Sequence, residues 1–301
     1  MLNYNFVRDV IKETSKFDFV DWHIFSNGTL DGNFKTLVFD EEFSPKLKHG
    51  RLSVQISFDG EPHHSLKRGY LPTEFDKTLE LLASNGILFN FKGTLAADSL
   101  HLMPQCWDSY YELFKRLDTK SSVYWCPAID STASLLDVDL RMWKKTLLDV
   151  AKREMHFIED NGRPLLTWFK DKKRFCDVRF STHMHSDGNF YICHGAPYIE
   201  DNERRARFVT GTTSTVSSIM DVISSSSIDT NAQSHRCTKC GATYCGTCHV
   251  NVVDANNVRE DWLKCIARED QGRCHLMKEF GKVNRILRLA LASRGIFLRD
   301  K

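Results

Sequence analysis

The chain has 301 residues, enough for about two domains, and 42% of them are hydrophobic, which is typical of a protein with a sizeable core. Its formal net charge is only +2, and its basic clusters at 170–174 and 204–207 are short, so the composition predicts no nucleic-acid partner. No apolar stretch reaches the ~18–20 residues of a membrane helix, and the first residues do not resemble a signal peptide. The sequence therefore predicts a cytoplasmic protein with no membrane association.

Residues 1–160 are predicted to fold as an α/β domain, because strand patterns alternate with helix patterns along this half. The predicted strands cover residues 19–25, 51–60, 87–95 and 122–129. The predicted helices cover residues 3–17, 72–85, 104–117 and 136–158, while residues 31–46 are predicted to be irregular or a short helix. Strand–helix units in succession are typical of a parallel sheet with crossover helices. Four strands are too few to close a barrel alone. The first and last strands would therefore have open edges, which other parts of the protein must cover.

Residues 161–301 are predicted to form a second domain, because the pattern changes at Asn161-Gly162-Arg163-Pro164. An Asp-Gly pair at 187–188 predicts a hairpin turn between strands at 178–185 and 190–193. The Ser- and Thr-rich residues 210–231 are predicted to be a loop with one short helix at 216–223. A terminal helix is predicted over residues 275–297.

Four cysteines lie within twelve residues of this second domain, spaced Cys-x2-Cys-x4-Cys-x2-Cys. They are Cys237, Cys240, Cys245 and Cys248, and further cysteines follow or precede them at Cys176, Cys193, Cys265 and Cys274. In a reducing compartment, clustered thiolates favour a metal centre over disulfides. The spacing leaves both zinc and an iron–sulfur cluster open, although zinc ribbons separate their two Cys-x2-Cys pairs by more residues.

Two segments of the first half, together with this cysteine pattern, resemble radical S-adenosylmethionine (SAM) enzymes that carry a SPASM domain. The segments are Ser26-Asn27-Gly28-Thr29-Leu30 and Gln55-Ile56-Ser57-Phe58-Asp59-Gly60-Glu61-Pro62, the second followed by Arg68. In that family they lie at the carboxyl ends of barrel strands. The resemblance covers nearly the whole chain. It implies an incomplete (β/α) barrel of about four strand–helix units, then a small Cys-rich SPASM-like domain with auxiliary clusters and a C-terminal helix.

The chain departs from this family in several motifs. The Cys-x3-Cys-x2-Cys motif that binds the SAM-cleaving cluster and the Gly-Gly-Glu-Pro motif are both missing from the 301 residues. The chain therefore resembles the C-terminal portion of such an enzyme, from a split gene, a misplaced start or a decayed gene. The later gaps of the cysteine run are each one residue shorter than in the family. His194 occupies the position of the aspartate base of sulfatase-maturating members, which argues against that reaction.

The resemblance also implies the metal ligands. One [4Fe–4S] cluster would be held by Cys237, Cys240, Cys245 and a late cysteine, for which Cys274 is favoured because it opens the predicted terminal helix and Cys265 is the alternate. A second cluster would be held by Cys176, Cys193 and Cys248, with His183, His185 or His194 as candidate fourth ligands. Zinc stays the alternative metal.

The same resemblance assigns SAM contacts to Asn27, Ser57 and Arg68, and it assigns no catalytic residue. It implies a maturase that modifies a peptide or protein substrate and that is active only with a complementing N-terminal part. The alternative is a non-enzymatic iron–sulfur or zinc module for binding or electron transfer, or a decayed fragment.

Overall fold

A four-stranded parallel sheet forms the centre of the first half of the chain in this computed structural model. Its strands lie in the order β1 (Trp22–Ser26), β2 (Leu52–Ser57), β3 (Phe89–Leu95) and β4 (Val123–Pro127), and all neighbouring pairs are parallel. The predicted α/β class with a parallel sheet is therefore confirmed, and every predicted strand is found within a few residues of its expected place.

The structure describes residues 4–17, 21–28, 32–71, 73–127, 138–169, 183–185, 187–191, 202–206, 209–212, 214 and 268–298. The helices are α1 (Tyr4–Thr14), α2 (Gly32–Phe39), α3 (Ser44–Lys48), α4 (His63–Arg68), α5 (Phe75–Ser84), α6 (Met103–Leu117), α7 (Leu140–Asn161), α8 (Asn202–Ala206) and α9 (Arg268–Ala292). Short 3-10 helices cover Ala97–Leu102 and Thr167–Phe169.

Most predicted helices are present, and the differences are local. The segment expected to be irregular or a short helix contains both α2 and α3. Helix α4 was not predicted. Helix α7 continues three residues beyond its predicted end, to Asn161, because Gly162 supplies the left-handed conformation (φ 65°) that ends it.

Helices α5 and α6 cover one face of the sheet. Seven side chains of that face, from β2, β3 and β4, are at most 1% exposed; they are Leu52, Val54, Ile56, Phe89, Phe91, Val123 and Trp125. Phe91 contacts Tyr110 of α6, with ring centroids 5.5 Å apart, and Phe58 contacts Phe75 of α5 at 5.1 Å. Alternation of buried and half-buried residues along β2 matches the predicted pattern.

The sheet edge at β4 is covered by the chain that follows α7. Val123 donates its N–H to the carbonyl of Leu165 at 3.0 Å, and Leu166 forms a parallel bridge with Val123. Trp168 donates its indole N–H to the carbonyl of Trp125 at 2.5 Å. The cover expected for the last strand is therefore supplied by residues 165–168.

Buried Glu154 holds this covering segment in place. Its carboxylate, which is 0% exposed, accepts from the backbone N–H of Leu165 at 3.0 Å and of Leu166 at 2.9 Å. It also accepts from the indole N–H of Trp107 on α6 at 2.8 Å. One side chain of α7 therefore fixes both α6 and the strand-like segment.

The chain divides into two compact units. The first comprises residues 1–133, 138–171 and 283–301, and the second comprises 134–137 and 172–282. The predicted domain division at residue 160 remains a prediction. None of the described helices is long and apolar enough to cross a membrane.

The second unit contains a small antiparallel sheet of three short strands. They are β5 (His183–Met184), β6 (Asn189–Tyr191) and β7 (Val209–Thr212), in that order. The predicted hairpin is present, since β5 pairs with β6 and the Asp187 carboxylate accepts from the N–H of Asn189 at 2.9 Å. The prediction of a loop from residue 210 is wrong for residues 210–212, because they pair with β6.

Candidate functional site

The carboxyl ends of β1 and β2 bring two of the predicted SAM contacts to one edge of the sheet. Asn27 directly follows β1 and is exposed, and Ser57 is the last residue of β2. The strands pair in register, with Ser26 opposite Ile56. In open parallel sheets this edge is where ligands bind, since the loops that follow the strands converge there.

Ser57 lies on the face of the sheet opposite the helix-covered core. It is half-buried and directly opposite Lys92 of β3, which in turn lies opposite Tyr124 of β4. No described residue hydrogen-bonds to the Ser57 side chain. Its hydroxyl is therefore available to a ligand on this face.

The third predicted SAM contact, Arg68 on α4, forms an ion pair with Asp59 of the β2–α4 connection. Arg68 Nε lies 2.5 Å from Asp59 Oδ2, and Arg68 Nη2 lies 3.2 Å from Oδ1. Asp59, which is 1% exposed, also accepts from the backbone N–H of Thr94 at 2.5 Å. Arg68 Nη2 lies 3.2 Å from Thr94 Oγ1, so the cluster ties α4 to the carboxyl end of β3.

Arg68 keeps donors for a ligand despite this pair. A guanidinium has five N–H donors, and the contacts to Asp59 and Thr94 use only Nε and Nη2. No described residue accepts from Nη1, and the side chain is 40% exposed. The geometry therefore suits a guanidinium that is positioned by Asp59 and presents its remaining edge outward.

Two buried histidines stand beside Asp59 on α4. His64 Nδ1 accepts from the Asp59 backbone N–H at 3.3 Å, which places the ring proton on Nε2. His63 Nδ1 lies 3.9 Å from Asp59 Oδ2. Burial lowers the pKa of both histidines, although the Asp59 carboxylate opposes the shift, so both rings are neutral at neutral pH.

The turn after β2 is fixed by close packing and by a side-chain cap. Gly60 has a φ of 81°, and a Cβ there would lie 2.7 Å from the Cβ of Cys106. Glu61 accepts from the Ser65 hydroxyl at 2.8 Å and from the Ser65 N–H at 3.2 Å. Burial raises the pKa of the Cys106 thiol to about 12, so this cysteine packs as a neutral side chain.

The proposed cluster ligands Cys176, Cys193, Cys237, Cys240, Cys245 and Cys248, the alternate Cys265 and the candidate His194 lie outside the described residues. Cys274 does not open the terminal helix as expected, because α9 begins at Arg268. His185 Nδ1 lies 3.5 Å from Asp187 Oδ1. Among the described residues, no group of histidine, cysteine and carboxylate side chains suits a metal ion.

Sequence reasoning assigned no role to three residues that the structure places at this edge: Asp59, Lys92 and Thr94. Asp59 was only part of a quoted motif. Asp59 lies nine residues before Arg68 in the sequence. The two side chains can pair because the chain turns after β2 and continues as α4, and this helix was not predicted. The signal for Lys92 is that it is the one charged residue of the β3 strand pattern.

Comparison with solved structures identifies the fold. Native anSMEcpe with bound AdoMet and Kp18Cys peptide matches with a TM-score of 0.60 and 14% identity, over 95% of this chain and 82% of that one. The same protein with a Cp18Cys peptide gives a TM-score of 0.61 over 96% and 82%. This chain has the fold of anSMEcpe. Neither a protein-family model nor a curated protein sequence matches it.

Replacing Asp59 by asparagine is expected to lower the free energy of unfolding by about 2 kcal/mol, since two charge-assisted contacts weaken and the Thr94 N–H loses an anionic acceptor. The partial exposure of Arg68 limits the loss. Urea denaturation measures the change. Asp76→Asn is the matched control, because its 2.6 Å pair with Arg116 is exposed and is expected to be worth less than about 1 kcal/mol. Equal losses in the two variants would contradict the structural role of Asp59.

Proposed function

We propose that the chain binds SAM at the carboxyl edge of its parallel sheet and takes part in the radical modification of a peptide or protein. The observation that carries the proposal is the fold shared with anSMEcpe, whose structures hold AdoMet, the same molecule as SAM, and a peptide. Ser57 and Arg68, singled out in the sequence for SAM contact, stand at that edge.

The described side chains suit SAM. The Nη1 edge of Arg68 can donate to its amino-acid carboxylate, and the hydroxyl of Ser57 can bond its amino-acid or ribose groups. Asn27, which is exposed at the end of β1, is a third candidate contact. Reductive cleavage of SAM supplies the radical in enzymes of this kind, and the residues described here bind and orient the molecule.

The iron–sulfur part of the proposal concerns the SPASM-like cysteines. Cys237, Cys240, Cys245 and Cys274 form the proposed ligand set of one auxiliary [4Fe–4S] cluster. The second set is Cys176, Cys193 and Cys248. These assignments are supported by the sequence pattern.

The activity is proposed to need a complementing N-terminal part. The support is the lack of a Cys-x3-Cys-x2-Cys motif in the 301 residues, since radical SAM enzymes bind their SAM-cleaving cluster through it. The same lack favours the second candidate, a non-enzymatic cluster protein that acts in binding or electron transfer.

The test is anaerobic purification followed by iron and sulfide analysis, SAM titration by calorimetry, and a cleavage assay with reductant. We expect iron and sulfide to be present and to fall in Cys240→Ala. We expect Ser57→Ala to weaken SAM binding about fivefold, as for the loss of one hydrogen bond. Ser84→Ala, on the exposed side of α5, is the control that leaves binding unchanged.

The cleavage assay separates the two candidates. Cleavage only after addition of a radical SAM N-terminal fragment with the Cys-x3-Cys-x2-Cys motif supports the maturase. No cleavage with any such fragment supports the non-enzymatic module. Cleavage by the isolated chain refutes the proposed division of labour, and bound zinc without iron refutes the auxiliary clusters.

A further inference from the structure

We propose that Lys92, on the face of the parallel sheet opposite the buried core, is the anchor of a subsite for a ligand carboxylate. The inference rests on the proposed function and adds the chemical class of group that binds beside Ser57. It follows from the position of Lys92 on the sheet, from its charge and from its neighbours.

The subsite lies on the face opposite the buried core. Residues of this face are half-buried or exposed, in contrast to the fully buried residues that point to the helices. Parallel sheets are ordinarily covered by apolar contacts on both faces. This face instead carries polar side chains at its centre, which suits contact with a polar ligand; they are Ser53, Gln55, Ser57, Asn90, Lys92 and Thr94.

Lys92 is the one lysine, arginine, aspartate or glutamate in the four strands β1–β4. Among the described residues, two other cations near the carboxyl edge each form an ion pair with an aspartate. Arg68 is paired with Asp59 at 2.5 Å, and Lys67 with Asp98 at 2.7 Å. The positive charge of the sheet face therefore comes from Lys92.

No carboxylate among the described residues lies within ion-pair distance of the Lys92 ammonium. The ammonium lies instead over the ring of Phe25, whose centroid is 5.9 Å from Nζ. Phe25 is 68% exposed, an unusual degree for a phenylalanine in a strand. A ring at this distance attracts the ammonium but leaves all three N–H donors unused.

Neighbouring hydrogen-bonding groups complete the subsite. Ser57 pairs with Lys92 in register across β2 and β3, and Gln55 pairs with Asn90 one row earlier. Neither Ser57 nor Gln55 has a side-chain partner among the described residues. A carboxylate above Lys92 can accept from the Lys92 ammonium and from the Ser57 hydroxyl together, and its attraction exceeds that of a fully solvated pair because the site is partly desolvated.

The same chemistry can come from two ligands of the proposed function. One is the amino-acid carboxylate of SAM, and the other is an acidic side chain of the substrate peptide. Lysine is a compact charge on a flexible stem, so the side chain can reach either position.

The test uses Lys92→Met with four probes, measured by calorimetry. The probes are SAM, decarboxylated SAM, a glutamate-containing peptide and its glutamine counterpart, the peptides with SAM present. We expect Lys92→Met to lower the affinity for the carboxylate-bearing ligand about tenfold and to leave the affinity for its counterpart without the carboxylate unchanged. If Lys92→Met weakens the binding of SAM but not of the peptides, the carboxylate is that of SAM. If the variant no longer prefers the glutamate peptide over the glutamine peptide, the carboxylate is that of the peptide.

Two further variants control the result. Lys77→Met removes an exposed lysine of α5 and is expected to change no affinity. Lys92→Arg keeps the charge and is expected to retain the carboxylate preference. If Lys92→Met does not fold, Lys92→Gln replaces it as the variant that removes the charge, and a carboxylate preference that persists in Lys92→Gln overturns the inference.

The outcomes distinguish this inference from the proposed function. Weaker SAM binding in Ser57→Ala, with all affinities unchanged in Lys92→Met, overturns the carboxylate subsite and leaves the proposed function intact. A glutamate preference that depends on Lys92, with no SAM binding at all, overturns the proposed function and leaves the subsite. If the native chain binds none of the probes, both fail.

Discussion

Replacing Glu154 with leucine is expected to lower the free energy of unfolding by about 4 kcal/mol. The change leaves three buried donors without an acceptor, and each such group costs about 1–3 kcal/mol. The donors are the indole N–H of Trp107 and the backbone N–H groups of Leu165 and Leu166. Urea denaturation, followed by tryptophan fluorescence, measures the loss.

The control for this variant is Glu80→Leu on α5, where the side chain is exposed and the expected change is within about 0.5 kcal/mol. If the Glu154 variant is no less stable than the Glu80 variant, the carboxylate does not hold the segment that covers β4.

The Glu154 carboxyl also gives the stability a defined pH dependence. Burial raises its pKa from 4.5 to about 7, although the three N–H donors oppose the shift. Between these two pKa values the folded state keeps a proton that the unfolded state releases. The contribution of Glu154 to the free energy of unfolding therefore falls as the pH rises from about 4.5 to about 7. The measurement is the difference between the native chain and Glu154→Gln, because the other titrating groups contribute equally to both.

Gly60→Ala is expected to cost about 3 kcal/mol of unfolding free energy. The added Cβ would lie 2.7 Å from the Cβ and 2.8 Å from the backbone oxygen of Cys106, and the residue must keep a φ of 81°. A backbone carbonyl of α6 cannot rotate away as a flexible side chain can. The predicted loss of stability is measured by thermal and urea denaturation.

Gly86→Ala isolates the backbone contribution, since Gly86 has a φ of 66° and no atom within 4 Å of the added Cβ. Its expected cost is about 1 kcal/mol. If Gly60→Ala loses no more unfolding free energy than Gly86→Ala, the β2–α4 turn does not approach α6 as closely as described.

The strands and long helices could be predicted from the sequence because their signals are local. Alternation in β2 and the helical spacing of α5 and α6 directly reflect which side chains face the core. Helix α4 escaped prediction because six residues are too few for a periodic pattern, and its His63 and His64 are both buried.

The positions of the candidate site residues could be predicted in part. Ser57 and Asn27 could be placed at the carboxyl edge because Ser57 lies towards the end of a recognisable strand and Asn27 follows one. The pairing of Arg68 with Asp59, and the register that sets Lys92 between Ser57 and Tyr124, depend on contacts between separate strands and helices. Such contacts leave no pattern in one sequence. The same holds for β7, whose strand in a Ser- and Thr-rich stretch is set by its partner β6.

The chain leaves the first unit after residue 171 and returns to it at residue 283, within α9. Arg288 donates to the Phe169 carbonyl at 3.1 Å, although the two residues are 119 positions apart, and Arg294 pairs with Glu159 nearby. The intervening segment is thus an insertion whose two ends are held together by contacts within the first unit. The entropy of closing a loop grows slowly, by about 0.6 kcal/mol for each doubling of length, so an insert of this kind can lengthen or shorten with little penalty to its host.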